Sequence, residues 1–352
     1  MKILVTGGCG FIGSTLVKEL ISTTNHNVAN IDCISYSGNL ENLKEVDKNS
    51  RYSFFETNIL DINAIGKVFD SFQPDYIIHL AAESHVDRSI DSSEIFLNTN
   101  IIGTYNLLET SRHFYCKNKK PNFRFLHVST DEVYGDLSLQ DKPFTETSRY
   151  KPSSPYSASK ASSDHLVRSW GRTYGLPVLI TNCSNNYGPF QFPEKLIPIV
   201  LMNATKLNEI PIYGDGLQIR DWLYVKDHVD ALLTVLENGK IGETYNIGGN
   251  CEMTNIDIVK NICSILDELI PPAKASLKSY KELITFVDDR PGHDRRYSID
   301  SSKINNELDW FPKHSFNEGI RKTVNWYLEN IQWCQDFLKK SEYDLSRLGG
   351  NK

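Results

Sequence analysis

The chain begins with a short aliphatic run, Lys2-Ile3-Leu4-Val5-Thr6, which opens directly into Gly7-Gly8-Cys9-Gly10-Phe11-Ile12-Gly13. A strand, a glycine-rich turn and then a helical pattern is a narrow instruction to a chain. Gly7, Gly10 and Gly13 stand in G-x-x-G-x-x-G spacing. Without side chains there, a pyrophosphate can approach the backbone and the positive end of the following helix. The competing reading is a tight βα turn with no ligand. The turn's place directly after the first strand favours the dinucleotide.

Asp32 strengthens that reading. It ends the second expected strand, 19 residues after Gly13, where a carboxylate can accept both ribose hydroxyls. It would repel a 2′-phosphate, and residues 33–42 hold no Arg or Lys to compensate. The expected cofactor is therefore NAD rather than NADP. Further short apolar runs predict strands over 27–32, 52–56, 76–81, 125–129 and 178–181. Helical patterns fall between them over 12–22, 62–71, 96–114 and 157–174. This alternation predicts an α/β fold, a Rossmann-type doubly wound parallel sheet with ligand bound beyond its carboxyl edge.

At 352 residues the chain exceeds one comfortable core. The regular pattern breaks after Cys183. Residues 184–195 and 211–221 read as irregular, followed by a helix at 226–237, a strand at 244–247 and a helix at 255–269. Residues 287–297 read as a loop and 316–330 as a late helix. The expected division is a dinucleotide-binding domain over 1–184, with a returning segment near 222–247. A smaller mixed α/β C-terminal substrate lobe covers 185–335, and a tail covers 336–352. A net charge of −6 argues against a nonspecific nucleic-acid partner. The seven scattered cysteines suit neither a disulfide framework nor a zinc site, so no metal is expected. With no signal-type segment and no run long enough to span a bilayer, the expected compartment is the cytoplasm, with no membrane partner.

Tyr156 and Lys160 lie four residues apart, on one face of a helix. A tyrosine of ordinary pKa, about 10, is a poor base at neutral pH. The Lys160 cation and a nicotinamide charge would favour the phenolate, which could take a hydroxyl proton while hydride leaves the same carbon. Thr130, at the end of the fifth expected strand, could hydrogen-bond that hydroxyl. Alcohol oxidation needs nothing more, so the adjacent Asp131 and Glu132 need another reason. Two enclosed carboxylates driven to different pKa values suit proton abstraction beside a carbonyl coupled to loss of water. The bland alternative is a solvated acidic turn.

Together these segments resemble the extended short-chain dehydrogenase/reductase family, and within it the enzymes that dehydrate a nucleotide-linked hexose. The resemblance runs through Ala81-Ala82-Glu83-Ser84-His85-Val86-Asp87, Ser129 to Gly135, Tyr156 to Lys160 and Asn185-Asn186-Tyr187-Gly188-Pro189. It continues through Phe192 to Pro198, Arg220 to Val225 and Arg290-Pro291-Gly292-His293-Asp294. It implies conversion of dTDP-glucose to dTDP-4-dehydro-6-deoxyglucose plus water. The alternatives are a UDP- or GDP-sugar 4,6-dehydratase or a nucleotide-sugar 4-epimerase. Related epimerases resemble the scaffold but carry small hydroxyl residues where Asp131 and Glu132 stand.

By the same resemblance Phe11, Ile12, Asp32, Ser35, Asn58, Ile59, Leu80, Ala81 and Thr99 join the glycines, Tyr156 and Lys160 around NAD. Asn58 stands where the family has aspartate, and Ser35 where it has threonine. Ser84, Thr130, Asn185, Lys195, Leu196, Pro211, Tyr213, Arg220, Asn255, Arg290, His293 and Tyr297 are implied for the nucleotide sugar. Arg220 and Arg290 also make independent sense, since a diphosphate suits bidentate guanidinium groups. The family's habit further implies a homodimer, paired through the helices expected at 96–114 and 157–174.

Overall fold

The computed structural model describes residues 1–272 and 277–341. Its strands are β1 (Lys2–Thr6), β2 (Asn27–Asp32), β3 (Tyr52–Glu56), β4 (Tyr76–His79), β5 (Arg124–Thr130) and β6 (Val178–Cys183). There follow β7 (Asn185–Tyr187), β8 (Ile210–Tyr213), β9 (Ile219–Tyr224), β10 (Thr244–Ile247), β11 (Glu252–Thr254) and β12 (Ile284–Val287). Seven of them form one parallel sheet in the order β10-β6-β5-β4-β1-β2-β3. The order reverses at β1, which lies between β2 and β4, so a crevice opens there at the carboxyl edge.

Alternation along β1 sends its side chains to opposite faces. Ile3 and Val5 join Leu16, Val17 and Leu20 of the helix Phe11–Thr23 and Leu232, Val235 and Leu236 of the helix Val225–Asn238. Leu4 joins the other face, with Val68, Phe69, Leu107, Leu108 and Val167 from the helices Ile62–Phe72, Thr104–Asn118 and Pro155–Tyr174. With helices on both faces, the strands read as apolar runs.

The expected strand at 76–81 ends two residues early. Leu80 and Ala81 leave the ladder and hydrogen-bond to Thr6, at its carbonyl and its hydroxyl. The helix expected over 96–114 is interrupted: the segment Leu97–Gly103 has i→i+5 hydrogen bonds between the helices Ser93–Phe96 and Thr104–Asn118. The carbonyl of Asn100 accepts from both Thr104 Oγ1 and Ser163 Oγ, which draws it out of the ordinary ladder.

The second lobe is more regular than expected. β7, β9 and β11 form a three-stranded sheet, and β8 pairs with β12. These strands have only three to six residues each, too short for a clear period, and Gly214 and Gly216 at φ 58° and 71° turn the chain between β8 and β9. The lobe's core joins Val200, Leu201, Val259, Ile262, Val324 and Tyr327. The chain also returns to the large sheet, where β10 adds beside β6. Of the tail expected over 336–352, residues 336–341 belong instead to the helix Ile331–Ser341. Cys334, Phe337 and Leu338, at i, i+3 and i+4, bury one helical face against the lobe. Residues 342–352 lie outside the described residues.

Candidate active site

The turn after β1 is shaped by what its glycines leave out. Gly7 sits at φ 74°, and a Cβ there would lie 2.7 Å from the Ala81 nitrogen. At Gly13 a Cβ would lie 2.1 Å from the Gly7 carbonyl oxygen, so the helix can start only where a residue has no side chain. Gly10 caps the helix Phe11–Thr23 without a side-chain hydrogen bond, and no acidic residue stands in its first turn. The N–H groups at this end stay available to an anion. Asp32, almost fully buried, accepts from Cys9 N and Ile34 N, each at 2.9 Å and one at each oxygen. Its remaining acceptor capacity faces the cavity it lines. Burial raises its pKa, opposed by those backbone hydrogen bonds.

The cavity is about 660 Å³ and runs from this turn to Lys195. Gly7, Gly10, Phe11, Ile12, Gly13, Ser35, Asn58, Ile59, Leu80, Ala81 and Thr99 all line it, together with Asp32. The predicted dinucleotide residues, scattered over nearly a hundred positions of sequence, therefore meet in one place. Asn58 Oδ1 accepts from Leu60 N at 2.9 Å, a bond an aspartate would also make. Thr99 reaches the wall from the i→i+5 segment, and Gly103 in the same segment lets Ile59 pack where a Cβ would be 2.5 Å away.

Thr130, Asp131, Glu132, Tyr156 and Lys160 line the far end of the same cavity. β5 ends at Thr130, whose hydroxyl caps the short 3-10 turn Asp131–Val133 by accepting from Glu132 N. Tyr156 and Lys160 come from the start of the helix Pro155–Tyr174, fixed by a Ser154–Ser157 capping box and Pro155. Thr130 and Tyr156 line the same end of the cavity. Lys160 Nζ donates to Val128 O at 2.9 Å, and burial lowers its pKa to about 8. Burial, then the charge of Glu132, holds the Tyr156 phenol well above the usual range. Burial thus works against the phenolate in the protein by itself, and the expected phenolate calls on a nicotinamide charge as well as Lys160.

The two carboxyl groups sit in different surroundings. Asp131 is 2% exposed, and its Oδ2 is buried without a hydrogen-bond partner among the described residues. Burial, then Glu132 and Asp221, raises its pKa well above the carboxylate range. Burial also raises Glu132, but the cations of Arg290, Lys195 and Arg220 pull it back. Asp131 is held as an acid, and Glu132 is the easier of the two to ionise.

The predicted sugar-nucleotide residues divide. Ser84, Thr130, Asn185 and Lys195 line the cavity, with Lys195 Nζ donating to Ser84 O at 2.9 Å. Leu196, Pro211, Tyr213, Arg220, Asn255, Arg290, His293 and Tyr297 do not. Leu196 and Asn255 open the helices Leu196–Thr205 and Asn255–Leu269, while Pro211 and Tyr213 lie in β8. The rest form linked polar groups. Arg290 pairs with Asp87, whose other oxygen accepts from Tyr213 at 3.2 Å. Arg220 stacks 4.2 Å over the Tyr297 ring and donates to Asp294 O, and His293 Nδ1 meets Asp289 at 2.6 Å. Arg290 Nε is buried without a hydrogen-bond partner among the described residues.

Sequence reasoning passed over three acidic residues here: Glu83 and Glu194 in the cavity wall, and Asp87, which orients Arg290 and Tyr213. All three lay within segments noted for their resemblance, Glu83 and Asp87 in 81–87 and Glu194 in 192–198. No spacing rule marks such residues, because their partners are far away in the chain.

Comparison with known proteins agrees with this geometry. Residues 4–323 match the family model described as GDP-mannose 4,6 dehydratase. The chain is 56% identical to a dTDP-glucose 4,6-dehydratase of Neisseria meningitidis over 354 residues, covering 100% of this chain and 99% of the relative. A dTDP-glucose 4,6-dehydratase from Bacillus anthracis, solved in complex with NAD, superposes with a TM-score of 0.84 at 43% identity. That match covers 96% of this chain and 99% of the other. The Streptomyces venezuelae enzyme of the same description, with NAD and dTDP bound, gives 0.87 at 41% identity, covering 96% and 100%. A cradle for a dinucleotide, two unequal carboxyl groups beside a Tyr/Lys pair, and similarity along the whole chain place it in one group: this chain belongs to the dTDP-glucose 4,6-dehydratase family of extended short-chain dehydrogenases/reductases.

Proposed function

We propose that this chain is an NAD-dependent hydro-lyase that converts dTDP-glucose to dTDP-4-dehydro-6-deoxyglucose and water. The observation that carries the reading is the pair Asp131, buried, and Glu132, half-buried, which line with Tyr156 the cavity that holds the glycine turn. Gly7, Gly10, Gly13 and the helix end after them would take the pyrophosphate, and Asp32 the ribose. NAD bound there supplies the chemistry of accepting hydride from sugar C4 and giving it back at C6.

The chain's own groups handle the protons. Tyr156, with Thr130 in the same cavity wall, takes the proton of the C4 hydroxyl as a phenolate, which Lys160 together with the charge that NAD would bring favours against the cost of burial. The ketone at C4 acidifies C5–H, and Glu132, kept ionisable by Arg290, Lys195 and Arg220, removes that proton. Asp131, held protonated by burial, gives its proton to the C6 hydroxyl, which leaves as water. Glu132 returns its proton to C5. Residues 1–184 with the returning segment 222–247 would serve NAD, and 185–335 the nucleotide sugar.

A cytoplasmic homodimer belongs to the same proposal. Leu97, Ile102, Tyr105 and Tyr174 are exposed on the two helical segments implied for pairing, which suits a second copy of the chain. Among the described residues no helix is long and apolar enough to cross a membrane.

The deciding experiment is NMR of dTDP-, UDP- and GDP-glucose, each incubated with the protein. A 6-deoxy-4-ketosugar formed fastest from the dTDP substrate is expected. Recovery of a C4 epimer alone would sink the reading.

A further inference from the structure

The segment 191–195 forms one wall of the cavity, with Gln191, Phe192, Glu194 and Lys195 facing it. Opposite lies the loop after β2, where Cys33, Ser35, Ser37 and Gly38 also face the cavity. Glu194 reaches from the first segment to Tyr36 in that loop, and its side chain is 2% exposed. Its Oε1 accepts from the Tyr36 hydroxyl at 2.9 Å, and its Oε2 from Arg88 Nε at 2.8 Å. The Arg88 guanidinium also lies 3.9 Å over the Tyr36 ring, and Phe192 meets that ring edge-on at 5.5 Å. On the other side the Glu194 carbonyl bonds His85 Nε2 at 3.2 Å, and Lys195 Nζ reaches Ser84 O.

Burying a carboxylate costs several kcal/mol unless its partners are well placed. Here the partners come from three separate segments. Tyr36 follows the expected ribose residues, Arg88 lies in the short helix Val86–Asp91, and Glu194 lies just before the lobe's first helix. We infer that Glu194, with Tyr36 and Arg88, is a clasp that ties the ribose-side loop to the substrate lobe and holds the dinucleotide in place. It is a positioning group, since its contacts are to other residues of the chain.

This inference rests on the proposed reaction and deepens it. A dehydrogenase that releases its product can let the reduced cofactor go each cycle. An enzyme that must return the same hydride to C6 cannot, because early release strands the ketosugar intermediate. A clasp that closes the ribose side answers that need, and it works through the lobe that also receives the sugar.

The test uses purified holoenzyme. Release of bound NAD into a trap is followed by stopped flow for the wild type, Glu194→Gln and Tyr36→Phe. Glu194→Gln removes the charge from two hydrogen bonds, so release about tenfold faster or more is expected, with a smaller increase for Tyr36→Phe. On adding dTDP-glucose, Glu194→Gln should also release free NADH, seen in an ultrafiltrate at 340 nm, while the wild type releases none. Should Glu194→Gln fail to fold, Tyr36→Phe decides, with thermal melting confirming that the fold is intact. Wild-type release rates in the folded variants would overturn the clasp and leave the proposed reaction standing. A wild-type protein that binds no NAD would overturn both.

Discussion

The division of labour proposed for Asp131 and Glu132 rests on their neighbours, since either carboxyl in water would titrate alike. Asp131 is buried with one oxygen unpartnered among the described residues, and the acidic Glu132 and Asp221 weigh on it more than the cation Arg220. Glu132, one residue on, meets three cations from three different segments of the lobe. Glu132→Gln keeps the shape and loses the base. Solvent deuterium uptake at C5 should fall by about 10²–10⁴, the usual worth of a positioned general base. Unchanged uptake, measured by mass spectrometry of the sugar, would remove Glu132 from its assigned role. Both carboxylates stood out in the sequence, because oxidation alone does not require them. Their ranking did not, since Lys195, Arg220 and Arg290 are remote in the chain.

At the scale of elements, the glycine turn and the helix behind it form a unit that tolerates little change. Gly13→Ala would set a Cβ 2.1 Å from the Gly7 carbonyl, a backbone atom that cannot step aside without moving the turn. NAD affinity should drop tenfold or more, which corresponds to about 1.4 kcal/mol. Equilibrium dialysis of the variant measures this directly, and wild-type affinity would mean that the turn does not carry the pyrophosphate. The helices around the large sheet were legible because each has a long apolar stripe. The interruption at Leu97–Gly103 was not, because its cause is a pair of hydroxyls, Thr104 and Ser163, converging on the carbonyl of Asn100. Ser163 reaches it from another helix, and periodicity along one segment cannot register that. The short strands of the second lobe escaped for a related reason: each owes its existence to the partner beside it.

For the whole molecule, the two longest helical stretches leave Leu97, Ile102, Tyr105 and Tyr174 open to solvent, 41–48% exposed. Exposed apolar side chains on both helical stretches suit an interface more than a solvated surface. Sedimentation of the wild type should give the mass of two chains. The double variant Ile102→Glu, Tyr105→Glu should give one chain, because charges buried at the centre of an interface go unpaired. A monomeric wild type would dismiss the dimer and leave the cavity's chemistry untouched.

The sequence by itself determined the parallel sheet, the glycine turn with Asp32, and the candidates proposed to move protons. These are local patterns: a strand running into glycines, a Tyr/Lys pair one helical turn apart, two acids at a strand end. The tertiary structure alone decided that Asp131 is driven further toward the acid form than Glu132, that residues 336–341 belong to a docked helix, and that Glu194 joins Tyr36 to Arg88. Each of those depends on charge, burial or hydrogen bonding between segments up to hundreds of residues apart. Desolvation and Coulomb interactions follow distance in space, and only the fold determines that distance.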